Sequence, residues 1–496
     1  MKKRSSLYSC GVLIAVFIVC IVAGSCGKNY YFAGRTLPPS GVLNRVLVAE
    51  QNPSAFSTGS LPFLDAYYDI RHAHNAAGGQ FEISGYSGHL PLSIQNLPEE
   101  QAGAVYNAAD GSLSLVGYGA EKVSATVSGS GVSSAEGSPY NGVFISRDLN
   151  YVYAANPSSH VITVVNRSGS GGGASVALNV ANAYGISVNP GGTVALVFIQ
   201  NTDQAPNHTV NVDTPNSFAV YSIVQLNATQ QAAAVNNPNY LGAQDCQPLK
   251  LPTWCVFPVS TGPNASFDHP IKAVFSPDGS AAYVVNCGPE CGGTTASLTT
   301  IPITASSLNT GSFGASGIAL VAQNNIPIPN GATNALFNGN TLYVAGQKLQ
   351  PSGLFAGFLT VLNMPAGTIA GSYSIGDGIH NRMVFADDNT LWIGSSQCNA
   401  GVRFQQAQAG KNVPYGCITM FDTSKNTATV NAYQGDGTGV AAITGLHKVY
   451  TTEGGQIYIY RTPTMAALDN TNVTIAGTAI DVAYMDATSD ANNTNY

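Results

Sequence analysis

Nine cysteines punctuate the chain, three of them within the first 26 residues and six further on. The six fall into sequence-adjacent pairs: Cys246 with Cys255, Cys287 with Cys291, and Cys398 with Cys417. A zinc site would call for a C-x2-C pair or an adjacent histidine, and neither accompanies them. Disulfides 246–255, 287–291 and 398–417 are therefore expected if the chain is exported. The last closes a loop of about 20 residues and would contribute roughly 3 kcal/mol.

Charged and polar residues form a second set. Lys272, Asn334, Arg382 and Asp481 align at one position of a recurring strand, where other copies carry Leu92, Gly142, Gly185 and Val440. Two cations on one arc would draw an anionic group into a low-dielectric funnel; a solvated rim without a ligand gives the same pattern. His89 and His269 occupy equivalent lead-ins to that strand, and His380 lies one residue further along. A metal needs three or more ligands converging at about 2 Å, whereas a family of His-Pro-like turns explains the recurrence without one. No metal and no cofactor are expected, a divalent cation being the one exception the sequence leaves open. His72 and His74 would share one side of a strand and read as structural. Asp377 and Asp436 sit in matching Gly-Asp-Gly turns, where Asp caps the backbone; a catalytic acid/base pair is the sharper reading of the same residues.

These positions depend on repeated elements. Asn141 to Asn156 (NGVFISRDLNYVYAAN) returns as Ile271 to Asn286 (IKAVFSPDGSAAYVVN), as Thr333 to Gly346 and as Asn381 to Gly394, with weaker copies near Pro91, Tyr184 and Thr438. Each unit reads as an apolar strand, a tight Gly/Asp/Asn turn, a Tyr-Val-rich strand, a variable loop, and two further strands such as the one beginning Cys417-Ile-Thr-Met-Phe-Asp422. Four short strands in about 40 to 60 residues are the signature of a propeller blade. With these repeats the chain resembles the YVTN-type β-propeller proteins, a branch of the WD40-like and lactonase-like repeat families, over residues 43–487. The resemblance implies an all-β fold and a single propeller. It leaves function open, since that architecture hosts enzymes, binders and scaffolds alike.

Asn44 to Glu50 looks like a second strand lacking its first, and Ala479 to Met485 like a first strand with nothing after it. Together they complete one blade and close the ring, removing a free sheet edge. The count is then eight blades of four antiparallel strands, with seven, the commoner number in that family, as the alternative.

Long departures from the repeat, at 201–217, 227–268, 287–297, 346–357 and 395–416, fall in loop classes that share one face of a propeller, and all three expected disulfides lie in or beside them. Loops longer than about 15 residues in a compact domain are usually functional or disordered, and cross-links argue for the former. A binding face over blades four to seven is expected, with Trp254, Phe257, Arg403, Phe404 and Tyr415 as exposed contacts. Bridges that merely tidy the loops of an exported protein are the plainer reading. Thr229 to Val235 would form one helical turn.

At the other end of the chain, Lys2, Lys3 and Arg4 precede an apolar run from Gly11 to Val22, and Ala23-Gly24-Ser25 leads into Cys26. Basic head, apolar core and small-residue exit describe a secretory signal; the run is shorter than the roughly 18 residues that span a bilayer, although a signal anchor shares its pattern. Ala-Gly-Ser-Cys resembles the bacterial lipoprotein lipobox, with Ala23 where leucine is usual. That resemblance implies acylation of Cys26, and Gly27 after it implies sorting to the outer membrane, facing the periplasm or the surface. The expected division is a signal at 1–25, a tether at 26–42, the propeller at 43–487 and a tail at 488–496.

Of 496 residues only 9% are charged, 54 are glycine, and the net charge is -7. Neutral polar residues keep such a surface wet, and phosphate backbones are poor partners for it, so nucleic acid is excluded. Walker and H-E-x-x-H motifs are absent, sialidase-type Asp boxes are missing, and two tryptophans are too few for a quinoprotein propeller. The sequence thus reads as a monomeric, lipid-anchored binding or scaffolding module of the bacterial envelope, its partner an envelope protein or glycan. The alternative is a lactonase-like or other metal-assisted hydrolase, with its site at the channel mouth starting from Asp481 and Asn334.

Overall fold

The turn between the first two strands of blade 5 shows how the repeat folds. Asp278 Oδ1 accepts the Ser280 backbone N–H at 3.1 Å and the Ser276 hydroxyl at 2.6 Å, while Gly279 takes φ +70°, a backbone region open to glycine without steric cost. The apolar runs on either side then pair antiparallel, Pro270–Phe275 against Ala281–Asn286, with Phe275 opposite Ala282 and Val274 opposite Tyr283.

The structure is a computed structural model and describes residues 37–52, 57–71, 81–127, 142–146, 150–156, 161–166, 174–180, 183–189, 194–201, 217–226, 232, 243–248, 253–303 and 320–488. Cys26 and the segment expected to be a signal, His72, His74, the helical turn expected at 229–235 apart from residue 232, and residues from 489 on lie outside these residues. Within them the chain forms eight sheets, one per blade, so the seven-blade alternative is set aside. Blade 1 is composite: Arg45–Gln51 pairs with Phe63–Asp65 on one side and with the last strand, Thr478–Tyr484, on the other. Ring closure is therefore the pairing of C-terminal strand with N-terminal unit.

Not every blade keeps four strands. Among the described residues blade 1 has three, and blades 4 and 5 have five each. The expected loop at 227–268 contributes the additions: Asp245–Pro248 and Thr253–Pro258 extend blade 4, and Ser260–Asn264 runs parallel to the outer strand of blade 5. Thr253–Pro258 (TWCVFP) is almost continuously apolar and buried, because it is the fourth strand of blade 4, between Ser217–Gln225 and the edge strand Asp245–Pro248, and does not project into solvent.

The apolar cores lie between blades. Phe144 and Tyr153 of blade 3 cluster with Val197 and Ile223 of blade 4; Val46 of blade 1 clusters with Tyr450 of blade 8. The same holds for each neighbouring pair around the ring. Both faces of inner and middle strands are covered by adjacent sheets, which is why their sequences read as runs of Val, Ile, Tyr and Ala. Outer strands alternate instead, as Lys122–Val127 does between exposed and half-buried residues.

Candidate functional site

Six of the eight inner strands share a register shift near their start, at 91/93, 183/185, 270/272, 380/382, 437/439 and 479/481. A bulge of this kind inserts one residue and re-aims the side chain beside it. Lys272, Arg382 and Asp481 each follow the shift, and Asn334, opposite Ala345, takes the matching place in blade 6. The common register corrects two of the aligned positions: Ser93 stands where Leu92 was expected and Gly439 where Val440 was. Apolar patterning slips by one residue at a bulge.

These side chains are linked around the ring. Lys272 Nζ donates to Asn334 Oδ1 at 2.8 Å, and Asn334 Nδ2 donates to the His380 carbonyl at 3.0 Å. Arg382 Nη2 lies 2.6 Å from Asp481 Oδ2, which also accepts the Ile94 N–H at 2.8 Å. Burial raises the pKa of Asp481 against the opposing pull of Arg382. Lys272 is pushed down to about 8 by burial and by the neighbouring Arg382 charge. Among the described residues no carboxylate forms an ion pair with Lys272, and Arg382 Nε is buried without a hydrogen-bond partner. The arc thus carries two cations against one carboxylate. Asp481 and Asn334, where a hydrolase site would begin, are both held in these bonds.

The histidines separate on inspection. Leu90 and His269, both at positive φ, occupy the same place before their prolines, so His89 matches Asp268 and not His269. His380 is buried, with Nδ1 2.7 Å from Thr333 Oγ1 and Nε2 3.1 Å from the Gly376 carbonyl. Burial pushes it down to about 4, so it is a neutral, satisfied core side chain. Among the described residues no three His, Cys, Asp or Glu converge as metal ligands. Asp377 accepts the Asn399 N–H through both carboxylate oxygens, and Asp436 accepts that of Gln397; both act as backbone caps.

The three disulfides join Cys246 to Cys255, Cys287 to Cys291 and Cys398 to Cys417. The last two brace loops between second and third strands and so lie on one face. Cys246–Cys255 instead links paired positions of two outer strands of blade 4. Trp254 and Phe257 are corrected with it. They are buried, and the Trp254 ring meets Tyr151 and Tyr153 edge-on at 5.1 and 5.6 Å. Arg403, Phe404 and Tyr415 remain half-exposed around the helix Gly401–Gln408.

Sequence reasoning passed over a cleft of about 550 Å³ on the loop face between blades 4 and 5, lined by Phe218, Phe267, Asp268, His269, Thr294 and Thr295 among others. Its signal was the Asp268-His269-Pro270 lead-in facing two threonines just past Cys291.

No family model matches the chain, and no curated protein sequence does. Solved structures do resemble it. Dihydro-heme d1 dehydrogenase NirN aligns over 91% of this chain and 79% of its own, with TM-score 0.51 and 12% identity. AztD from Citrobacter koseri aligns over 89% and 97%, with TM-score 0.46 and 11% identity. A candidate 6-phosphogluconolactonase from Bacteroides fragilis aligns over 78% and 93%, with TM-score 0.42 and 13% identity. The chain is an eight-bladed β-propeller. At such identities the likeness is one of fold, and function must be argued from this molecule's own site.

Proposed function

We propose that this propeller is an exported binding module of the bacterial envelope, of the YVTN type, lipid-anchored through Cys26 and gripping an envelope protein or glycan with its loop face. The lipobox-like Ala23 to Cys26 and three disulfides support export to an oxidising compartment. The observation that carries the binding role is the helix Gly401–Gln408 in blade 7, which buries none of its residues.

So short a helix is not stable alone. Here Cys398–Cys417 closes its loop, and Arg403 Nε donates to the Tyr433 carbonyl at 3.1 Å. The helix is therefore held in place without packing into the core. Val402 in the helix and Tyr433 beside it are 51% and 66% exposed, and the Phe404 and Tyr415 rings lie 5.8 Å apart. Fixed aromatic and apolar side chains on an ordered loop have the composition of an interface centre.

Affinity capture from envelope extract tests the reading, comparing the intact protein with a variant in which 398–417 is replaced by a short Gly-Ser connection. A partner retained by the first and lost by the second is expected. Identical retention by both would remove the loop from the binding face.

A further inference from the structure

The cleft between blades 4 and 5 is a separate feature from the blade 7 loop, and it contains a polarised histidine. Asp268 Oδ1 lies 2.7 Å from His269 Nδ1. Asp268 Oδ2 accepts the Thr294 N–H at 2.7 Å, the Thr294 hydroxyl at 2.9 Å and the Thr295 N–H at 2.8 Å. Burial works against ionisation of this carboxyl, but the bonds from His269, Thr294 and Thr295 outweigh it and hold its pKa below the usual value. A carboxylate oxygen only accepts, so the proton of this bond sits on Nδ1, and in the tautomer so fixed Nε2 is the acceptor of the ring.

That acceptor is available. His269 is only 6% exposed, and among the described residues Nε2 has no hydrogen-bond partner. Its ring is wedged against Phe218, centroids 4.0 Å apart, and its backbone is held at φ +55°, the left-handed region that residues other than glycine seldom occupy. Gly292 and Gly293 let the loop pass close by: a Cβ on Gly293 would lie 2.0 Å from Asp268 Oδ1, and one on Gly292 3.9 Å from His269 Nε2. A strained, buried side chain with an open acceptor, in a cleft of small-molecule size, calls for a donor from outside.

We propose that this cleft binds a neutral, hydroxyl-rich ring, a monosaccharide unit of an envelope glycan, with a ring hydroxyl donating to His269 Nε2 and the sugar's apolar face against Phe267. Among the described lining residues Asp268 is the one carboxylate, its oxygens already occupied by His269, Thr294 and Thr295, and there is no Lys or Arg. This lining disfavours an anion, and Phe267 and Phe218 supply the apolar wall that sugar faces need. Thr294 and Thr295 stand at the rim.

The test is NMR on the full-length protein with 13Cε1-labelled histidine, whose eight histidines give few resonances. Glucose, galactose, mannose and N-acetylglucosamine are the probes, with inorganic phosphate as the anionic comparison. A saturable shift of the His269 resonance by at least one sugar, with Kd near or below about 10 mM, is expected. Affinity should fall at least ~10-fold in His269→Ala, followed by saturation transfer to the sugar's own protons because this variant lacks the reporting ring. Because His269 is buried, Ser266→Trp serves as a second variant: it fills the cleft from an exposed position and should also abolish the shift. No movement of His269 with any sugar at ~100 mM, unchanged sugar affinity in His269→Ala, an undiminished His269 shift in Ser266→Trp, or a larger response to phosphate would overturn the proposal.

Discussion

Arg382 of blade 7 reaches past blade 8 to Asp481 of blade 1, Nη2 to Oδ2 at 2.6 Å. The residue it passes is Gly439. A Cβ there would lie 2.7 Å from Asp481 Oδ1 and 2.8 Å from its Cα, so the missing side chain in blade 8 is what admits a bond between blades that are not neighbours. Gly439→Ala is expected to destabilise the protein by about 1 to 3 kcal/mol through overcrowding, seen as a lower midpoint in urea. An unchanged midpoint would show that the inner strand yields freely.

Asp481 is 2% exposed, so removing its cation should cost more than an ordinary surface pair. Arg382→Met leaves a buried carboxylate whose remaining donors are backbone N–H groups, and a loss of about 3 kcal/mol is expected at neutral pH. The sign with pH follows from the raised pKa of Asp481, which the substitution raises further. The folded variant takes up a proton more readily than the unfolded chain, so its deficit should shrink as pH falls. Denaturant midpoints of both proteins at neutral and acidic pH measure this.

Glu453 offers a cleaner pH test. It is 1% exposed, with Oε1 accepting from Thr451 at 2.6 Å and Tyr460 at 2.8 Å and Oε2 without a partner. Burial raises its pKa to about 7 against the pull of those two bonds. Between the ordinary value of 4.5 and about 7 the folded state holds the proton that the unfolded state has released, so stability falls as pH rises through that window, by at most ~1.4 kcal/mol per unit. Glu453→Gln should flatten this slope and match the parent near the acidic end. Parallel curves for the two proteins would show that the group ionises freely in the fold.

Ring closure makes a prediction about the C-terminus. Arg45, at the start of the first strand among the described residues, is 3% exposed and bonds Asp486 through Nη2 at 2.6 Å and Nε at 3.0 Å, while its Nη1 reaches Glu121 at 3.0 Å. Deleting 479–496 removes Asp486, Asp481 and most of the closing strand together. The truncated chain should show no cooperative melting transition in calorimetry; one near the parent temperature would refute closure by this strand.

Loss of the 398–417 bond should act locally. Both sulfurs are buried, and their loop spans 19 positions, so Cys398→Ala with Cys417→Ala is expected to cost about 3 kcal/mol. Because the helix Gly401–Gln408 buries none of its residues, its amides should lose hydrogen-exchange protection while the strands of blade 7 retain theirs. Uniform loss across the blade would mean that the bond supports the sheet itself.

The repeat period, the split first blade and the three cysteine pairings were written into local sequence, because strand, turn and short-range disulfide are decided by residues near one another in the chain. Burial at Trp254 and Phe257 was not, since a stretch set between repeats becomes a strand only if a sheet edge is there to receive it. The polar arc was visible in part: Lys272, Asn334, Arg382 and Asp481 share a position, but the bulge that puts Ser93 and Gly439 into the same register leaves no mark in an apolar pattern. Which charge pairs with which, and that Arg382 answers Asp481 across Gly439 while Lys272 turns to Asn334, follows from curvature of the ring. So does the opening beside His269. Contacts between residues many tens of positions apart depend on how the sheets stand against each other, a geometry that only the folded ring supplies.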